Sequence, residues 1–143
     1  MRILGIDYGQ ARVGVAITDS LNITAQGLET IQRNNSDKIV LKRLDEILKQ
    51  YEVGTIVVGN PLNMDGTMSE RAEITKKFIH KLKCKYNKLK IETIDERLTT
   101  VAAHKTMNFL DINKNKKRDI VDTISAVYIL EIYLNKMKNT LQN

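Results

Sequence analysis

Three acidic positions in this chain stand where an acid is costly. Asp7 follows the apolar residues Ile3, Leu4 and Ile6, with Gly5 before it and Gly9 after it. Asp95 and Glu96 close the run "KIETI". Asp119 and Asp122 open the last apolar segment, "KKRDIVDTISAVYIL". A carboxylate at the rim of a core is unfavourable unless something pairs with it. Several held together repel and raise one another's pKa until a cation neutralises them. Carboxylate oxygens suit hard divalent ions such as Mg²⁺ or Mn²⁺. Two such ions side by side activate a water and stabilise the leaving oxygen of a phosphodiester. Taken singly, each acid has an ordinary explanation: a turn carboxylate, a surface residue, or a helix-start acid that favours the dipole. Only their joint placement points to a metal site.

That placement depends on the elements. Residues 2–7 read as an apolar strand and 12–19 as a second, joined through "YGQA" as an antiparallel hairpin. Residues 24–31 make a weaker third strand. Over 36–51, Ile39, Val40, Leu44, Ile47 and Leu48 recur at helical spacing, with Ser36 or Asp37 as the cap. "GTIVVG" at 54–59 is a buried strand. After the loop "NPLNMDGT", a helix runs from Ser69 to Lys85 and turns Ala72, Ile74, Phe78, Ile79 and Leu82 inward. Residues 90–94 alternate as a strand, Thr99 or Thr100 caps the helix "VAAHKTMNFL", and 118–137 form the last helix. On that helix Asp122 shares a stripe with Ala126, Ile129 and Tyr133.

This order implies an α/β domain spanning 1–143: a mixed five-stranded sheet, three antiparallel strands then two parallel ones, with helices on both faces. That is the ribonuclease H-like arrangement. In it the first strand and the strand at 90–94 end on one edge, and the last helix begins near it. Asp7, Glu96 and Asp122 then converge, and Gly5 and Gly9 leave room for a phosphate backbone.

Basic groups fit an anionic ligand. Arg12 in the hairpin and Arg97 beside Glu96 are placed to contact phosphate. The loop "GNPLNMDGTMSERA" is long: Gly59 ends the strand, Pro61 stiffens the exit, Gly66 permits a tight turn, and Ser69, Glu70 and Arg71 start a helix whose N-terminus suits phosphate; Asn60, Pro61, Gly66 and Arg71 are its candidate substrate contacts. Lys76, Lys77, Lys81, Lys83, Lys85, Lys88 and Lys90 crowd one segment, read as a solvated helix face or a polyanion contact. Lys114, Lys116, Lys117 and Arg118 form a basic loop; Lys116 and Lys117 are the candidates for RNA binding. The formal net charge of +6 supports a polyanionic partner.

Composition narrows the class. With 42% hydrophobic and 28% charged residues, a folded soluble protein is expected rather than disorder. No run approaches the roughly 18 apolar residues of a spanning helix, and Met1–Ile6 already reads as strand, so no targeting segment, no membrane and a cytoplasmic location are expected. The lone Cys84 excludes an internal disulfide and reads as structural or neutral. His80 and Cys84 stand i, i+4, but no second pair completes a zinc site.

The segments "DYGQARVGVAITD", "VVGNPLNMDGTMSERA", "IDERLTTVAA" and "KRDIVDTISAVYILEIYL" resemble, in order and over nearly the whole chain, the four motif blocks of the YqgF/RuvX family. The second block is the most specific; "DxG" after a strand also occurs in sugar kinases and actin-like ATPases. The resemblance implies a ribonuclease H-like fold and a cytoplasmic, metal-dependent nuclease that trims the 5′ end of precursor 16S rRNA, in a family first grouped as Holliday junction resolvases. It implies Asp7, Glu96 and Asp122 as catalytic and metal-binding acids, with two Mg²⁺ or Mn²⁺ ions, and prefers Glu96 to Asp95. Gln10, Ala11 and Met68 depart from the family's pattern in turn details and substrate grip. Structured RNA is the expected partner, branched DNA the alternative, and the expected state a monomer or weak homodimer. A nucleic-acid-binding, transcription-associated factor with little catalysis is the reading from another class. An actin-like ATPase fragment is disfavoured, because those enzymes use two such domains.

Overall fold

Burial along the first strand, β1 (Arg2–Tyr8), alternates between two cores. Leu4, Ile6 and Tyr8 join one apolar cluster and Ile3 the other. Side chains of a strand point to opposite faces in turn, so β1 is covered on both sides, as a central strand must be. The computed structural model describes residues 1–60, 69–95 and 114–142, and on the last helix the side chains of 123–140.

β2 (Arg12–Thr18) pairs antiparallel with β1, and β3 (Ala25–Gln32) pairs antiparallel with β2. On the other side β4 (Val53–Asn60) lies parallel to β1, and β5 (Lys90–Asp95) parallel to β4. The order β3-β2-β1-β4-β5 is the mixed five-stranded sheet expected from the element order.

Two helices cover one face. α1 (Asp37–Gln50) buries Val40, Leu44 and Ile47, and α2 (Glu70–Lys85) buries Phe78, Ile79 and Leu82, all against Leu4, Ile6, Val13, Val15 and Ile17. The opposite face carries α3 (Lys114–Gln142), whose Ala126, Ile129, Leu130 and Tyr133 pack on Ile3, Ala16, Val57 and Ile94. Ala126, Ile129 and Tyr133 of the expected stripe therefore face the sheet. α3 sits close where Gly5 and Gly27 leave the sheet without a side chain beneath it. A Cβ on Gly5 would lie 2.5 Å from Leu130 Cγ and 3.0 Å from the Ala126 carbonyl oxygen. One on Gly27 would lie 2.0 Å from Thr123 Cγ2. The Thr30 and Thr123 hydroxyls meet beside it at 3.1 Å.

This packing corrects one expectation. Gly5 makes room for α3, not for a phosphate backbone. A second correction concerns Lys114, Lys116, Lys117 and Arg118: they belong to the first turns of α3 and not to a loop, and the helix outruns 118–137 at both ends. Ser36 does precede α1, but its side chain makes no capping hydrogen bond. Ser69, expected as the first helical residue, is instead the cap of α2, its Oγ accepting from the Ala72 N–H at 3.1 Å. The helix expected at "VAAHKTMNFL" lies outside the described residues.

Candidate active site

Asp7 stands one residue before the end of β1 and is 6% exposed. Ile3 and Gly5 face α3, so alternation turns Asp7 to that side as well. Its register partner on β2 is Gly14, which sets no side chain beside it. The first turn of α2 brings Arg71 over the end of β1. Arg71 Nη2 lies 3.6 Å from Asp7 Oδ1 and donates to the Tyr8 carbonyl at 3.3 Å. The Arg71 side chain is 46% exposed, so one end of the pair is dry and the other wet.

The same guanidinium borders a groove of about 510 Å³ between the β1–β2 turn and the start of α2. Gly9, Gln10, Ala11, Arg12, Ser69, Glu70 and Arg71 line it. Two arginines and the N-terminus of a 16-residue helix give this lining a positive balance, with Glu70 its one carboxylate among the described residues. The volume suits a sugar–phosphate unit. Gly9 closes the turn: its N–H donates to the Arg12 carbonyl at 3.0 Å, and a Cβ there would stand 2.6 Å from that oxygen.

A brace on the opposite face of β1 holds this turn. Arg33 donates its backbone N–H to the Ala11 carbonyl at 2.9 Å and Nη1 to the Gln10 carbonyl at 3.0 Å. Its Nε reaches Asp37 Oδ1 at 2.9 Å, and its guanidinium lies over the Tyr8 ring. Tyr8 stacks on Phe78 at 4.2 Å between centroids and donates its hydroxyl to Asp37 at 2.5 Å. Lys81 of α2 completes the set, Nζ to Asp37 Oδ2 at 2.7 Å. Burial, then the Asp37 carboxylate, push the Tyr8 phenol up to about 12. Burial alone would raise Asp37, but the hydrogen bonds from Lys81, Tyr8 and Arg33 outweigh it and hold the carboxyl below its usual range. Arg33 and Asp37 stand four residues apart, but no spacing announced that Tyr8 of β1 and Lys81 of α2 would join them. Ser69 and Glu70 were legible only as a helix start, and their place in the groove lining follows from where α2 begins.

Of the other expected site residues, Arg12 opens β2 and lines the groove. Asn60 closes β4 opposite Asp95, and its Oδ1 is buried with no hydrogen-bond partner among the described residues. Pro61, Gly66, Glu96 and Arg97 lie outside the described residues. Lys116, Lys117, Asp119 and Asp122 fall on α3, but their side chains are outside the description. Gly5 meets Ala126 and Leu130, while the start of β5 and the later residues Tyr133 and Lys136 line one pocket. α3 thus runs against the parallel strands, and its N-terminal half approaches the edge where β1 ends. Asp122 precedes Ala126 by about one helical turn on that half. Among the described residues no three His, Cys, Asp or Glu side chains gather; of the three acids of interest only the Asp7 side chain is described. Cys84 Sγ and His80 Nε2 do meet, at 3.6 Å on the exposed face of α2, and no further ligand joins them among the described residues.

Comparison with known proteins follows the same lines. The family model described as "RuvX: Holliday junction resolvase" matches residues 1–136. A protein of Ruminiclostridium cellulolyticum named "Putative pre-16S rRNA nuclease" is 53% identical over 137 residues, covering 96% of each chain. One of Acetivibrio thermocellus with the same name is 48% identical over 141 residues, covering 99% of this chain and 100% of the other. Among solved structures, the fowlpox virus Holliday junction resolvase aligns with a TM-score of 0.59 at 16% identity, over 96% of this chain and 99% of that one. The T. thermophilus RuvC in complex with Holliday junction substrate aligns with a TM-score of 0.56 at 12% identity, over 96% of each chain. At such identities the structural likeness speaks for the fold, which is ribonuclease H-like. With the model matched over almost the whole length and curated relatives near one-half identical end to end, the chain belongs to the RuvX family.

Proposed function

We propose that this chain is a nuclease that hydrolyses phosphodiester bonds in the 5′-end processing of precursor 16S rRNA, with Asp7 at its reactive centre. The observation that carries the reading is a buried carboxylate at the end of the central strand, bordered by a cationic groove wide enough for a sugar–phosphate unit. Two relatives named for the same role, at 53% and 48% identity, support the substrate.

We assign Asp7, Glu96 and Asp122 as the acids. Asp95 follows Ile94, which faces α3, and so takes the other face of the sheet from Asp7. That leaves Glu96 as the choice at this strand end. Asp122 stands four residues before Ala126, whose side chain packs on the sheet. An all-carboxylate set is the kind of donor group that Mg²⁺ or Mn²⁺ takes; bound there, the ions would activate a water and stabilise the leaving oxygen. The chain's own groups do the rest. Arg71 and Arg12 orient the phosphate from the groove side, and the start of α2 adds a fixed positive potential. Asn60 offers a buried acceptor at the same edge. Gly9, Pro61, Gly66, Arg97, Lys116 and Lys117 complete the proposed substrate contacts. Because no helix of the described residues is long and apolar enough to cross a membrane, the cytoplasmic reading meets no conflict.

Cleavage of a four-way DNA junction is the second reading, favoured by the family model's description. Purified parent and Asp7→Asn are incubated with a precursor 16S rRNA fragment and with a four-way junction, each with and without Mn²⁺. The proposal expects metal-dependent cleavage of the RNA by the parent and none by Asp7→Asn at unchanged fold. Preference for the junction would move the substrate to DNA. Equal cleavage by the variant would remove Asp7 from the chemistry.

A further inference from the structure

Seven lysines lie between 76 and 90, and the structure divides them. Lys81 pairs with Asp37 at 2.7 Å, Lys85 with Asp45 at 2.9 Å, and Lys90 with Glu92 at 3.1 Å. Lys76, Lys77, Lys83 and Lys88 are exposed and have no carboxylate within 4.0 Å among the described residues. α2 buries Ala72, Thr75, Phe78, Ile79 and Leu82. At 3.6 residues per turn, Lys76, Lys77, His80 and Lys83 fall within an arc of about 120° on the opposite side. Glu73, near the start of the helix, is the one carboxylate in that arc. The paired Lys81 and Lys85 lie outside it, on the flank toward α1.

The groove lies at the N-terminal end of α2, where Ser69 and Glu70 line it, while Arg71 is on the other side of the helix from this arc. Arg71 stands in the first turn of the same helix, and from there to Lys83 is about 18 Å, or some five phosphates along a duplex strand. We infer that the exposed face of α2 seats the RNA segment flanking the cut site, with Lys76, Lys77 and Lys83 on its phosphates. The inference rests on the nuclease reading and extends it to a second contact surface. The chemistry of the face selects the occupant. The large exposed apolar residues among those described lie elsewhere: Met1, Leu21, Ile23, Ile39, Ile132 and Met137. A helix lying in a membrane surface presents an apolar face to lipid, whereas that of α2 is spent on the core. A protein partner would find no apolar or aromatic centre to bury. Unpaired ammonium groups on a rigid helix, without apolar company, suit a phosphate backbone, which is bound through charge and independently of sequence.

The test compares the parent, Lys76→Gln/Lys77→Gln/Lys83→Gln on α2, and Lys38→Gln/Lys42→Gln/Lys49→Gln on α1. The control removes the same charge from exposed lysines of another helix. Binding to a precursor 16S rRNA fragment with an intact 5′ stem is measured across KCl concentrations without divalent ions, so catalysis is not needed. For the α2 variant the slope of log K against log salt should flatten by about two to three, as three phosphate contacts are lost, and Kd at low salt should rise tenfold or more. Its kcat on a short RNA that fills only the groove should match the parent's. If both triple variants change the slope alike, or neither does, the α2 surface is refuted while cleavage by the parent still upholds the nuclease reading. A parent that neither binds nor cuts RNA would overturn both. Equal loss of binding to phosphatidylserine vesicles, with RNA binding intact, would assign the face to a membrane and sink the inference.

Discussion

Arg71 Nη2 stands 3.6 Å from Asp7 Oδ1, across from a strand end to a helix start that are far apart in the chain. The pair joins a group that is 7% exposed to one that is 46% exposed. Arg71 also donates to the Tyr8 carbonyl, so its head is fixed at the rim of the groove. A guanidinium so held gives a phosphate a two-point partner that an ammonium does not reproduce. Arg71→Met should raise the KM for RNA by roughly tenfold or more, the value of one charge-assisted contact, with a smaller change in kcat. Arg71→Lys should recover only part of it. Steady-state kinetics on the precursor fragment decide this, and an unaltered KM would return Arg71 to a purely structural role.

Asp7→Asn separates activity from stability. The carboxylate is held almost dry beside a solvated cation, an arrangement kept at some cost to the fold. Its amide isostere should therefore abolish cleavage while the unfolding free energy from urea melts stays level or rises by about 1 kcal/mol. A marked fall in the midpoint would mean that Asp7 is there for the fold.

Gly5 and Gly27 let α3 approach the sheet. At Gly5 a methyl group would meet both Leu130 and the Ala126 backbone, so the helix must shift. Gly5→Ala should cost about 1–3 kcal/mol by overpacking, read as a lower urea midpoint with the slope preserved. Were Gly5 kept for phosphate access instead, the variant would be as stable as the parent and lose only RNA binding.

The brace at Asp37 predicts how stability varies with pH. Asp37 is only 12% exposed, and its carboxyl is held below the usual value. Its stabilisation is therefore complete above the unfolded carboxyl pKa, about 3.9, and disappears as pH falls through the lower folded value. Tyr8 works in the other direction. Its phenol is raised from 10.0 to about 12, so its contribution is full below pH 10.0 and fades as pH climbs toward 12. Asp37→Asn should cost about 1.5–3 kcal/mol near neutrality and flatten both limbs. Tyr8→Phe keeps the stack on Phe78 and should abolish the alkaline limb while weakening the acid limb only in part, since Lys81 and Arg33 still hold Asp37. Urea melts between pH 3 and pH 11 test both.

Local pattern determined much of this protein. Apolar runs and helical spacing specify the five strands, α1 and α2 to within a residue or two, because period two and period 3.6 are read from neighbours in the chain. Asp7 was conspicuous for the same reason: an acid inside an apolar run is a local anomaly. Which face a glycine serves is not local. Gly5 reads equally well as room for a ligand or for a helix, and only the docking of α3 onto Leu130 and Ala126 decided between them. The basic residues 114–118 looked like a loop because polar segments carry no periodicity, yet they continue a helix whose anchor lies a turn or two further on. The brace of Tyr8, Arg33, Asp37 and Lys81 and the division of the lysines into paired and unpaired were settled by tertiary structure. A charge finds its partner through space, and the distance along the sequence does not record it.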